Sequence, residues 1–122
     1  MSQETIFTKI INREIPADIV YEDENTLAFK DINPQAPFHV LIIPKKAIAT
    51  MNDINPENSH LVGNLYVVAA KLAKQHNFAE DGYRVVMNCN EHGGQTVYHI
   101  HLHMLGGKEM GWPPYQNVKK VK

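Results

Sequence analysis

One cysteine, Cys89, stands in the whole chain, so no intrachain disulfide framework exists and a reducing compartment is the simpler assumption. No run approaches the ~18 apolar residues of a membrane span. Met1 to Thr5 has neither a basic segment nor an apolar run of the secretory kind. The expectation is a cytoplasmic protein with no membrane partner. Charge of one sign is also missing: 12 Lys and Arg face 13 Asp and Glu, a formal net charge of −1. No global positive field is there to attract nucleic acid. The tail residues Lys119, Lys120 and Lys122 form the only basic cluster and are read as a solvated terminus. Repeats, low-complexity tracts and linkers are absent, and no phosphate-cradling glycine fingerprint follows a predicted strand.

What remains is a chain of 122 residues, 43% hydrophobic, which suits one domain over residues 1–122. That size leaves little room for a deep self-contained cavity and keeps oligomerisation open. Ile6, Phe7, Ile10 and Ile11 recur at helical spacing, with Ser2 or Thr5 as cap, and predict a short helix ending near Pro16. Strand character follows at Asp18 to Tyr21, Thr26 to Ile32 and Phe38 to Ile43. Asn55, Pro56 and Glu57 make a good helix start, and Leu61, Leu65, Val68 and Leu72 form the apolar stripe of a long helix running to about Asn77. Tyr83 to Asn88 and Val97 to Leu105 predict two more strands. This order favours an α+β domain, with one short and one long helix packed on one face of a mainly antiparallel sheet.

Tyr98 to Leu105 reads Tyr-His-Ile-His-Leu-His-Met-Leu. Strand alternation puts His99, His101 and His103 on one face and Ile100, Leu102 and Met104 on the other. The aliphatic face is the core face, so the histidine face lines solvent, a cleft or a metal. A solvated face is disfavoured, since surface strands usually carry Thr, Lys or Glu. A zinc site has merit, with His39 as a further ligand, because imidazole binds zinc well. Yet the outer pair spans about 13 Å along an extended strand, too far for bonds of about 2.0–2.1 Å to one ion without strong curvature. Catalysis is favoured: neutral imidazole is a nucleophile near pH 7, and its neighbours can donate to charge developing on oxygen. Phosphorus is the natural electrophile.

The loop entering this strand, Glu91-His92-Gly93-Gly94-Gln95-Thr96, supplies glycines that let backbone N–H groups approach an anion, plus the Thr96 hydroxyl. Asn88 is placed to join it. His60, His76, His92 and Cys89 are read as structural.

His99-Ile100-His101-Leu102-His103-Met104-Leu105 resembles the signature of the histidine triad superfamily. Ile15-Pro16-Ala17, Ala28-Phe29, Asp31-Ile32, Pro34-Gln35-Ala36-Pro37, His39, Ile43-Pro44-Lys45-Lys46, Gly94-Gln95, Val97-Tyr98 and Trp112-Pro113-Pro114 are similar to its nucleotide-binding branch. The resemblance covers a core of about residues 5–114, leaving residues 115–122 as a tail. It implies a histidine-triad-like homodimer that hydrolyses purine nucleoside phosphoramidates, releasing AMP or GMP and an amine, without metal or cofactor. It implies His101 as the nucleophile, with His103 and Thr96 on the phosphate oxygens and His39 and His99 completing a relay toward the leaving group. Asp31 would bind the ribose hydroxyls; Asn88, Gly94, Gln95 and Val97 would lie on the phosphate side. Ile6, Phe7, Ile10, Phe29 and Ile32 would line the base pocket. Alternatives are a dinucleoside polyphosphate hydrolase and a non-catalytic nucleotide- or zinc-binding regulator. Thr96 stands where animal members carry Ser, and the tail prolongs an end that in the family approaches the partner's site.

Overall fold

The computed structural model describes residues 4–115; the possible cap at Ser2 and the basic tail lie outside the described residues. Thr5 caps the first helix, α1 (Ile6–Ile11): its hydroxyl accepts from the N–H of Phe7 and of Thr8, while the Thr8 hydroxyl accepts from the Thr5 N–H. That reciprocal box satisfies N–H groups the helix start would otherwise leave unpaired. The helix stops at Asn12, short of Pro16, where Arg13 turns the chain with φ 63°.

Strands β1 (Ile19–Glu22), β2 (Thr26–Lys30) and β3 (Phe38–Pro44) follow, then a short 3-10 turn at Met51–Asp53. Helix α2 covers Ser59–Gln75. The Asn55-Pro56 signal lies a turn earlier: the Asn55 side chain accepts from the N–H of Glu57 and Asn58 and caps a separate turn leading into α2. Strand β4 (Tyr83–Val86), the single-turn α3 (Asn90–Gly93) and β5 (Leu102–Gly106) complete the order. The five strands form one sheet in the order β1-β2-β3-β5-β4, every adjacent pair antiparallel.

Sequence patterning predicts both helices on one face; the structure places them on opposite faces. The α2 stripe of Leu65, Val68 and Leu72 packs with Ala28, Val40, Ile42, Leu102 and Met104. Phe7 and Ile10 of α1 pack with Leu27, Phe29, Leu41 and Ile43, the alternate residues of the same strands. β2 and β3 are therefore apolar on both sides, and α1 lies on the face that carries the histidines.

The histidine segment is also only partly a strand. β5 begins at Leu102, and residues 97–101 run outside the ladder. The Ile100 N–H donates to the Ile48 carbonyl at 2.7 Å, which draws this segment away from the sheet. Ile100 packs there with Ile48 and Leu61 in a third apolar cluster. β4 likewise ends at Val86, before Asn88.

Candidate active site

Register brings two of the histidines together across 64 residues of sequence. Leu41 stands opposite His103 and His39 opposite Leu105 on the β3–β5 ladder, so His39 and His103 are diagonal neighbours on one face. Their rings meet with His39 Nε2 3.0 Å from His103 Nδ1. Asp31, just after β2, brings a carboxylate oxygen within 3.4 Å of His39 Nε2 and accepts the Asn33 N–H with its other oxygen.

The proton positions follow from the partners. The Gln35 backbone N–H donates to His39 Nδ1 at 2.9 Å, so that nitrogen carries no proton. Neutral His39 therefore holds its proton on Nε2 and donates it to His103 Nδ1. His103 in turn carries its proton on Nε2, a nitrogen with no partner among the described residues and open to solvent. The next ring has the opposite arrangement. His101 Nδ1 lies 2.9 Å from the His99 carbonyl, which can only accept, so Nδ1 is protonated and Nε2 presents a lone pair. His101 is only 6% exposed, yet its Nε2 is neither enclosed nor bonded among the described residues. The His101 and His103 rings lie 5.1 Å apart, centre to centre. A lone pair and an N–H donor thus stand side by side, as in-line attack on a phosphorus whose oxygen is being held would require.

Burial holds these rings neutral. Desolvation, partly countered by the His99 carbonyl and by Asp31, pushes the His101 pKa below the ordinary histidine value. His103 is pushed down to about 4, by burial first and then by the neighbouring His101 and His39. His39 is lowered by burial against the opposing pull of Asp31.

His99 occupies a different place from the one a shared relay implies. The residue is 1% exposed, and its ring donates from Nε2 to the Pro44 carbonyl at 2.7 Å and leaves Nδ1 buried with no partner among the described residues. No hydrogen bond links it to the side chains of His39, His101 or His103 among the described residues. Its contribution to the site is its carbonyl, which sets the His101 tautomer. Phe7 packs edge-on against both rings, with centroids 5.9 Å from His99 and 5.0 Å from His101.

The loop before His99 also departs from expectation. α3 ends in Gly94, whose φ of 82° is a left-handed cap that suits glycine. The N–H groups of Gly94 and Gln95 are consumed by the Glu91 and Asn90 carbonyls, so neither is available to an anion. The Gln95 side chain is buried and fully used: it accepts from the Asn90 N–H and donates to the Ala49 and Val97 carbonyls. It is a strut fixing the entry to the histidine segment, not a ligand contact. Thr96, by contrast, is exposed, and neither its N–H nor its hydroxyl has a partner among the described residues. Asn88 is half-buried beneath Gly93, and Val97 packs against the α1 cluster.

Beside the histidines, α1 and the start of the β2–β3 loop enclose a cavity of about 430 Å³. Ile6, Phe7, Ile10, Phe29, Asp31 and Ile32, the residues the resemblance assigns to base and ribose, line it, and so do Asp18, Lys30 and Leu41. The wall is mainly apolar, with the Asp31 carboxylate at the histidine end. Its volume lies in the range of small-ligand sites.

Asp31, His39 and His103 also bring ligand atoms within 4.8 Å of one another, close enough to ask whether a metal fits. The donor set does not suit one. A metal at His39 Nε2 requires a lone pair there, hence a proton on Nδ1 pointing at the Gln35 N–H.

Strand order, histidine pairing and cavity together define a histidine triad site. Residues 4–112 match the family model described as scavenger mRNA decapping enzyme C-term binding. The chain belongs to the histidine triad superfamily. Over 111 residues it is 59% identical to the purine nucleoside phosphoramidase of Escherichia coli (strain K12), covering 91% of this chain and 93% of that protein. It is 55% identical over 112 residues to the 14 kDa zinc-binding protein of Zea mays, covering 90% and 87%. Among solved structures, the HIT family hydrolase of Legionella pneumophila Philadelphia 1 superposes with a TM-score of 0.89 at 57% identity, covering 92% of this chain and all of that one.

Proposed function

We propose that this chain hydrolyses purine nucleoside phosphoramidates through a nucleotidyl-histidine intermediate. The observation that carries the proposal is the His101 tautomer: Nδ1 donates to the His99 carbonyl and leaves the Nε2 lone pair open beside the His103 N–H. His101 Nε2 attacks phosphorus, a P–N bond forms to the ring, and the P–N bond to the amine breaks. The ring becomes cationic, and the His99 carbonyl on Nδ1–H stabilises that charge. The departing amine takes a proton from solvent at the open side of the site, while the neutral His39–His103 pair keeps its N–H on the phosphate. Water then attacks the same phosphorus, breaks the P–N bond to His101 as the nucleoside monophosphate leaves, and releases its proton to solvent. Thr96 and His103 Nε2–H hold the phosphate oxygens, Asp31 binds the ribose hydroxyls, and the apolar cavity takes the purine. No metal takes part.

The similarity to an enzyme named for purine nucleoside phosphoramidase activity supports this reading. A dinucleoside polyphosphate hydrolase would use the same nucleophile with a different leaving group, and parallel rates on both substrate classes discriminate the two. The test is hydrolysis of an adenosine phosphoramidate with EDTA present, wild type against His101→Ala. Loss of about 10³-fold or more is expected, because a missing nucleophile is not replaced by general-base help. Comparable turnover in the variant would remove the proposal.

We also assign the working form as a homodimer in the cytoplasm. Among the described residues β4 pairs on one side only, with β5, and α2 exposes Tyr66 and Val67. An open strand edge and exposed apolar side chains each suit contact with a second copy of the chain. Light scattering after size exclusion tests this: twice the 13.9 kDa chain mass is expected.

A further inference from the structure

We propose that the backbone N–H of Gln35 sets the direction of the proton chain through His39 and His103, and so keeps this corner of the site a proton donor rather than a metal centre. The inference deepens the phosphoramidase reading and rests on it for the identity of the final acceptor.

The chain runs one way. Gln35 N–H donates to His39 Nδ1 at 2.9 Å, and His39 Nε2–H donates to His103 Nδ1 at 3.0 Å. His103 Nε2–H then points to solvent, where a phosphate oxygen of the substrate would accept it. Reversing the chain puts a proton on His39 Nδ1 and sets two donors against each other at that 2.9 Å distance. The His39 side chain is only 3% exposed, so water cannot relieve the conflict. A backbone amide cannot turn away or change its protonation state. Protonating His39 on both nitrogens meets the same obstacle, so the ring stays neutral while lying 3.4 Å from the Asp31 carboxylate.

The same donor decides against a cation. Asp31, His39 and His103 offer a carboxylate and two imidazoles within 4.8 Å, a set divalent zinc would otherwise accept. Binding at His39 Nε2 needs the reversed tautomer, which the Gln35 N–H opposes. The Gln35 side chain plays no part here: its Nε2 donates to the Asn33 carbonyl. The effect belongs to the main chain, which is why no residue type at position 35 announces it.

The experiment is long-range ¹H–¹⁵N correlation of the histidine rings in the metal-free full chain, with zinc titrated calorimetrically into the same samples. Wild type is expected to show His39 and His103 as Nε2–H tautomers and His101 as Nδ1–H. Gln35→Ala keeps the N–H and should keep these tautomers. Gln35→Pro removes it; His39 should then populate Nδ1–H, and zinc should bind about tenfold tighter, the equivalent of one opposed hydrogen bond. A wild-type His39 found as Nδ1–H overturns the proposal, as does a folded Gln35→Pro chain with unchanged tautomers and zinc affinity. If Gln35→Pro does not fold, the wild-type spectrum alone decides. These readouts are independent of turnover, so absence of a nucleotidyl adduct would remove the phosphoramidase reading and leave the tautomer result standing.

Discussion

His101 Nδ1 donates to the main-chain carbonyl of His99, two residues earlier, at 2.9 Å. That contact makes the first histidine of the triad a positioning residue through its backbone while its side chain anchors to Pro44. It also leaves the second histidine with its lone pair on the open side. The ring is buried, but it is not closed off, and the proposed attack on phosphorus needs only that one nitrogen.

Activity should have an acid limb that lies below the ordinary histidine range. Burial lowers the His101 pKa, so the proposed nucleophile stays neutral as pH falls through 6.5. The rate of the first step should therefore hold between pH 7 and 6.5 and fall only further into acid. A limb centred above 6.5, measured with chemistry rate-limiting, would contradict the burial argument.

Stability should respond to the same groups. The folded His103 pKa of about 4 lies below the unfolded value near 6.5. In that window the unfolded chain binds a proton the folded chain refuses, so stability is full above pH 6.5 and declines as pH drops toward 4. His103→Gln should flatten part of that decline in urea unfolding between pH 7 and 4.5. An identical slope in wild type and variant would be inconsistent with it.

Phe7→Ala tests the apolar wall. The Phe7 ring is buried against Phe29, His99 and His101. Removing it should cost about 3 kcal/mol in unfolding free energy. It should also re-solvate His101 and move the acid limb upward. A stability loss without that shift would mean the ring supports the fold but not the nucleophile's environment.

Gln95→Glu tests the strut. Its Nε2 donates to the Ala49 and Val97 carbonyls, and a carboxylate there would face two acceptors. About 2 kcal/mol of stability should be lost, together with kcat, since Val97 leads into His99. A variant altered mainly in KM would instead place Gln95 on the substrate.

The histidine alternation was legible because residue spacing alone carries it, even though residues 97–101 lie outside the ladder. The long helix was legible for the same reason: Leu61, Leu65, Val68 and Leu72 are all buried. The placement of α1 differs from the patterning, though the sequence holds a signal for it. Val40 to Ile43 and Leu27 to Phe29 are unbroken apolar runs, which fit strands covered on both faces rather than one. Other features had no sequence signal. Gln95 joins Ala49 across 46 residues, and the proton order at His39 depends on a main-chain group. An amide next to two glycines looks the same whether it contacts phosphate or braces a loop.

Intact-protein mass spectrometry after a brief pulse of adenosine phosphoramidate tests the central claim most directly. Wild type should gain the mass of one nucleoside monophosphoryl group, acid-labile and mapped to His101, while His101→Ala gains none. Full turnover with no such adduct on the wild-type chain at any quench time, or an adduct that survives in His101→Ala, would contradict the account.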